Sequence, residues 1–174
     1  MKTEKLQALK HLFEKHTILM MSDIQSSFET TAMRTIIRYL KELGYYSSYN
    51  RAGMFYTIAG IPKFDGCGLW SYKEALFSTH GNLKETICAQ VDMSDAGMTQ
   101  VELAALLRVS TKSALTLLAA EGAIARSKSR GAYVYYSKDP KRRGRQAERR
   151  AALVESIDSQ AEFEPNDIVN VLDA

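Results

Sequence analysis

Residues 98–137 read MTQVELAALLRVSTKSALTLLAAEGAIARSKSRGAYVYYS. Thr99-Gln100-Val101-Glu102 has the spacing of a capping box and opens a helix carrying Leu103, Leu106 and Leu107. Val109 and Ser110 make a turn, with Ser110 as the expected cap of a further helix, 111–121. Ala114, Leu115, Leu117 and Leu118 are expected to face inward. Gly122 stops that helix, because glycine alone enters the left-handed cap without strain. The β-prone runs 124–128 and 132–137 flank Ser129-Arg130-Gly131, the pattern of a hairpin. Upstream, Asn82 caps a helix carrying Leu83, Ile87 and Val91, which ends before Asp95-Ala96-Gly97. The order is helix, helix, helix, glycine, strand, turn, strand.

That order occurs twice. Residues 22–60 read SDIQSSFETTAMRTIIRYLKELGYYSSYNRAGMFYTIAG. Gly44 and Gly122 lie 78 positions apart, as do Gly53 and Gly131. Leu9/Ile87, Phe13/Val91, Ile37/Leu115, Leu40/Leu118 and Arg34/Lys112 share the offset. In the first copy, Leu6, Leu9, Leu12 and Phe13 mark an amphipathic helix. Ser22 and Gln25 are placed to cap a short second one. The third carries Met33, Ile36, Ile37, Leu40 and Leu43 on one face and Thr31, Arg34, Thr35, Arg38 and Lys41 on the other. The runs 45–49 and 54–58 flank Asn50-Arg51-Ala52-Gly53, which puts Arg51 at a hairpin tip. Tyr45, Tyr46, Tyr49 and Tyr56 read as stacking groups or, for at least two of them, as packing residues.

The repeat divides the chain into a domain at 1–59, a linking segment at 60–81, a second domain at 82–137, and a basic arm with an acidic tail at 138–174. The expected class is α+β, mainly helical with small hairpins. Leu69, Trp70, Leu76 and Phe77 are too apolar for a free linker, so 60–81 is expected to pack between the two domains or to form part of a dimer surface.

Net charge is +3, but residues 151–174 carry six carboxylates (Glu155, Asp158, Glu162, Glu164, Asp167, Asp173) and no Lys or Arg. Taking that −6 from the total leaves +9 on residues 1–150. A basic body suits a polyanion partner; the ordinary alternative is a solvated surface. Residues 138–150 hold seven positive and two negative side chains. As a flexible arm, Lys141, Arg142, Arg143 and Arg145 can neutralise phosphates, and 148–156 then reads as a helix. Ile168, Val169, Val171 and Leu172 form an apolar end that can dock on a protein partner.

No run of about 18 apolar residues or signal-peptide core occurs, so no membrane association and a cytoplasmic location are expected. Cys67 and Cys88 make no disulfide framework, and with His80 they match no common zinc spacing. No cofactor is expected. With three histidines, no phosphate-binding loop and no paired-carboxylate motif, enzyme chemistry ranks last.

Residues 98–137 resemble the winged helix-turn-helix superfamily of bacterial DNA-binding proteins, and 22–60 resemble a second member. Such domains set the third helix in a major groove and the hairpin wing on the flanking backbone or minor groove. The resemblance implies double-stranded DNA contacts from Thr31, Arg34, Thr35 and Arg38 with wing Arg51. In the second copy it implies contacts from Thr111, Lys112 and Thr116 with wing Lys128 and Arg130. A transcription regulator is the commonest role. A symmetric target would imply a homodimer. Tandem winged helices also serve as protein-interaction subunits of chromosome-organising or mobile-element complexes. The single basic residue on the second reading helix, Lys112, fits that alternative.

Overall fold

The computed structural model describes residues 2–28 and 32–161. Its first helices are α1 (Lys2–His16), α2 (Met21–Ser27) and α3 (Met33–Leu43), with the short strand β1 (Leu19–Met20) between α1 and α2. Strands β2 (Tyr45–Ser47) and β3 (Phe55–Ile58) follow, joined through a short turn of 3-10 helix at Arg51–Gly53. β3 pairs antiparallel with both β1 and β2 and is central in the sheet. Leu9, Phe13, Ile24, Ile36, Leu40 and Ile58 are buried in one core beneath this sheet.

The linking segment is an extra hairpin. Strands β4 (Leu69–Tyr72) and β5 (Ala75–Ser78) pair in register around a two-residue turn, Lys73-Glu74. Ala75 and Phe77 share a second core cluster with Phe55, flanked by Trp70, Phe64 and Tyr46. The Tyr49 N–H donates to the Leu76 carbonyl at 2.8 Å.

The order then repeats with α4 (Leu83–Met93), β6 (Met98–Thr99), α5 (Gln100–Leu107), α6 (Lys112–Ala120), β7 (Ile124–Ser129) and β8 (Ala132–Ser137). Again the last strand is central, between β6 and β7. Shifting α3 by 78 positions lands on 111–121, where α6 lies; the same shift takes β3 to 133–136, inside β8. Gly44 and Gly122 follow their helices with φ of 68° and 71°, the left-handed region the cap requires. Leu9 and Ile87 are both buried, as are Phe13 and Val91, and Leu40 and Leu118. The chain falls into two compact units, one ending at Ala89 and the other starting at Gln90, inside α4. Across the described residues it is a mixed fold of seven α-helices and small antiparallel sheets.

Three local expectations are corrected. α6 begins at Lys112 with Thr111, not Ser110, at its N-cap position, and the Thr111 side chain does not cap it; the two-residue strands β1 and β6 carry no alternation for a sequence to show. α2 begins at Met21, and its reciprocal bond is the Met20 N–H donating to the Asp23 carboxylate at 3.0 Å, not Ser22 with Gln25. Residues 140–150 are not a flexible arm. They open α7 (Pro140–Ala161), a continuous helix of 22 residues. The Arg142 N–H donates to the Asp139 carboxylate at 2.8 Å, and Pro140 supplies the fixed φ of a first helical residue. That carboxylate offsets the cost of basic side chains at a helix N-terminus. The same hydrogen bond holds Asp139 below the ordinary carboxylate range.

α7 is bolted to its own unit by two side chains. Gln146, 1% exposed, accepts from the Ser137 N–H at 2.9 Å and donates to the carbonyls of Val91 and Ser94 at 2.7 and 2.9 Å. Arg150 donates to the carbonyls of Ala96 and Gly97 and to both oxygens of Glu102, at 2.7–3.0 Å. Glu102 also closes the expected capping box, accepting from the Thr99 N–H at 2.6 Å. The Arg150 hydrogen bonds, opposed by partial burial, hold the Glu102 carboxyl below its ordinary 4.5. A carboxylate depressed in the fold adds stability above its unfolded pKa, and that stability is lost as pH falls through the folded value. Below pH 4.5, wild type should therefore lose thermal stability more steeply than Glu102→Gln, as read from melting midpoints in an acid series.

Candidate nucleic-acid interface

α3 is the most polarised helix. Ile36, Tyr39 and Leu40 face the core. Arg34, Arg38 and Lys41, at i, i+4 and i+7, are exposed in one stripe. With Met33 and Ile37 they line a shallow depression, so the surface has an apolar floor rimmed by three cations. The Arg38 guanidinium sits 5.6 Å from the centre of the Tyr39 ring. Arg34, Arg38 and Lys41 have no ion-pair partner among the described residues. Unneutralised guanidinium groups beside apolar surface suit guanine edges, phosphates and thymine methyls. Thr35 is half-buried on the flank of the stripe. Thr31 lies outside the described residues.

The hairpin tip of this unit differs from expectation. Arg51 is exposed but paired with Glu74 at 2.8 Å, in the turn of the β4–β5 hairpin. Asn50 locks that turn in place, donating from Nδ2 to the Glu74 carbonyl at 2.7 Å and accepting from the Leu76 N–H at 3.0 Å. The four tyrosines are packing residues. Tyr49 is buried, Tyr45 and Tyr56 pack on the main core, and Tyr46 meets Phe64 edge-on at 4.9 Å.

α6 presents less charge. Lys112, Ser113 and Thr116 are exposed, and the Thr116 hydroxyl donates back to the Lys112 carbonyl at 3.0 Å; Leu117, expected inward, is exposed as well, because only Leu115 and Leu118 reach the core. Thr111, expected among the outward contacts, is 0% exposed. Its hydroxyl faces the Gln100 carbonyl at 3.5 Å, so it stands inside the unit and not on the surface. The reason is its place at the N-cap of α6, where its side chain turns back to the first residue of α5. Arg108 is exposed in the α5–α6 turn, and Val101, 77% exposed, stands on α5.

The second hairpin is the longer one. Arg126 and Lys128 are exposed on β7, and the Arg126 guanidinium stacks 4.7 Å from the centre of the Tyr133 ring. Lys128 and Arg130 are the residues the resemblance implies; Arg126 joins them because the period-2 alternation of a strand puts it on one face with Lys128. Arg130, in left-handed backbone at the tip, is paired with Asp158 of α7. Along α7, Lys141, Arg143 and Arg145 are exposed, whereas Arg142 donates to the Asp92 carbonyl at 3.0 Å. The apolar end at 168–172 lies outside the described residues.

Among the described residues no group of three or more His, Cys, Asp or Glu side chains is placed to hold a metal ion. No described helix is long and apolar enough to cross a membrane. The chain matches no protein-family model, no curated protein and no solved structure.

Proposed function

We propose that the chain is a non-enzymatic, sequence-selective double-stranded DNA-binding protein made of tandem winged helices, acting as a transcription regulator. The helix–strand–helix–helix–strand–strand order, with the last strand central, supports this reading in both units. One observation carries it. The helix that such a fold sends into the major groove, α3, exposes Arg34, Arg38 and Lys41 in a single stripe without a described carboxylate partner. Lys128 on the second wing and Lys141, Arg143 and Arg145 on α7 supply backbone contacts. Such a protein works in the cytoplasm, on the nucleoid.

Selection of binding sites from random duplex DNA at near-physiological salt is the test. An enriched motif is the expected result, and a palindromic one would indicate a homodimer. Binding without enrichment, vanishing as salt rises, would overturn selective recognition.

The second unit favours a further reading, a protein-interaction surface in a larger chromosome-organising or mobile-element assembly. Leu117 and Val101 are exposed on α6 and α5, where Lys112 is the one basic helix residue. If Lys112→Ala leaves the selected motif and its affinity unchanged, the DNA role rests on the first unit.

A further inference from the structure

Both wing-tip arginines are held by carboxylates that come from outside the repeated core. In the first unit Arg51 pairs with Glu74 of the added β4–β5 hairpin, and in the second Arg130 pairs with Asp158 of the added helix α7. The two additions share no architecture: one is a strand turn, the other the far end of a helix. They nevertheless deliver the same group to the same place. The reading helix α3 shows the opposite arrangement, its three cations lacking a described carboxylate.

We propose that Glu74 and Asp158 compete with DNA phosphate for the wing arginines and so hold down the affinity of the protein for duplex DNA. The inference rests on the DNA-binding reading above. Non-specific affinity comes almost wholly from phosphate contacts. A wing arginine already facing a carboxylate gains less from a passing phosphate, since the phosphate must displace the carboxylate first. The side chains of both pairs are about half exposed, so the pairs are weak enough to yield. The competing carboxylates therefore lower affinity for any duplex whose phosphates reach these arginines.

The placement is also robust. The Asn50 bonds to the Glu74 carbonyl and the Leu76 N–H hold the first turn independently of the Glu74 side chain. Gln146 and Arg150 hold α7 independently of Asp158. Removing either carboxylate thus leaves the fold in place.

The experiment titrates full-length protein with a random-sequence duplex across a salt series. It compares wild type, Glu74→Gln/Asp158→Asn, and Glu148→Gln/Glu155→Gln, which removes the same charge from exposed positions on α7. The first double variant should bind about threefold to tenfold more tightly than the second. Its plot of log affinity against log salt should be steeper by roughly one to two units, one for each arginine released to phosphate. Binding by the first variant alone would also support the inference. If the two variants behave alike while wild type binds, the effect is net charge, and the inference falls while the DNA reading stands. If neither wild type nor Glu74→Gln/Asp158→Asn binds duplex even at low salt, both fall together.

Discussion

Arg34→Ala/Arg38→Ala should abolish selective duplex binding while leaving the protein folded. Both side chains are exposed and neither has an ion-pair partner among the described residues, so truncation removes no contact that the fold needs. A guanidinium on a base edge contributes about 1–3 kcal/mol of discrimination. The pair should therefore cost about 2–6 kcal/mol, roughly thirtyfold to twenty-thousandfold in affinity, at the selected site. An arginine that instead holds a phosphate lowers the salt slope by about one unit when removed. The two quantities together assign each side chain. Loss of affinity with loss of discrimination marks base contact; loss of slope across all sequences marks backbone contact. Circular dichroism should be unchanged, and undiminished binding by the double variant would remove α3 from the interface.

The largest effect on stability is expected at Gln146. Its side chain is 1% exposed and serves one N–H and two carbonyls drawn from β8, α4 and the turn after α4. Gln146→Ala leaves the buried Ser137 N–H without its acceptor. An orphaned buried group costs about 1–3 kcal/mol, and the lost volume adds to it, so about 2–4 kcal/mol is expected. That is a large share of the roughly 5–15 kcal/mol that holds a domain of this size. Gln146→Met keeps the volume and removes only the amide, and should recover less than half of the loss. Urea unfolding gives the magnitude, and hydrogen exchange gives the place: the Ser137 amide should lose protection in both variants. Full recovery by methionine would mean that the site is held by packing, not by its hydrogen bonds.

The hairpin-tip arginines Arg51 and Arg130 show why a correct list of exposed cations is not yet an interface. Arg51 and Arg130 were legible as hairpin-tip residues, because Asn, Gly and β-prone flanks mark such turns locally. Their partners were not, since Asp158 stands 28 positions from Arg130 and only the path of α7 brings them together. Thr111 illustrates the converse. Its position next to Lys112 suggests an outward face, yet burial at a helix start depends on what passes over it.

Asp139-Pro140 was a readable signal outweighed by charge. The string Lys141-Arg142-Arg143 suggests a mobile arm, but an acidic cap followed by proline is the usual opening of a helix. What then fixes α7 is not local: Gln146 reaches Val91 across 55 positions, and Arg150 reaches Glu102 across 48.

The sequence by itself determined the repeat, the helix stops at Gly44 and Gly122, the two hairpins, and the amphipathic split of α3. Each follows from interactions within a few residues, where periodicity and glycine conformation act directly. The tertiary structure alone decided that β1 and β6 complete the sheets, that the 60–81 segment becomes a hairpin on the first unit, and which cations remain open. Two-residue strands carry no period, and a carboxylate chooses its arginine only after packing has set the distance between them.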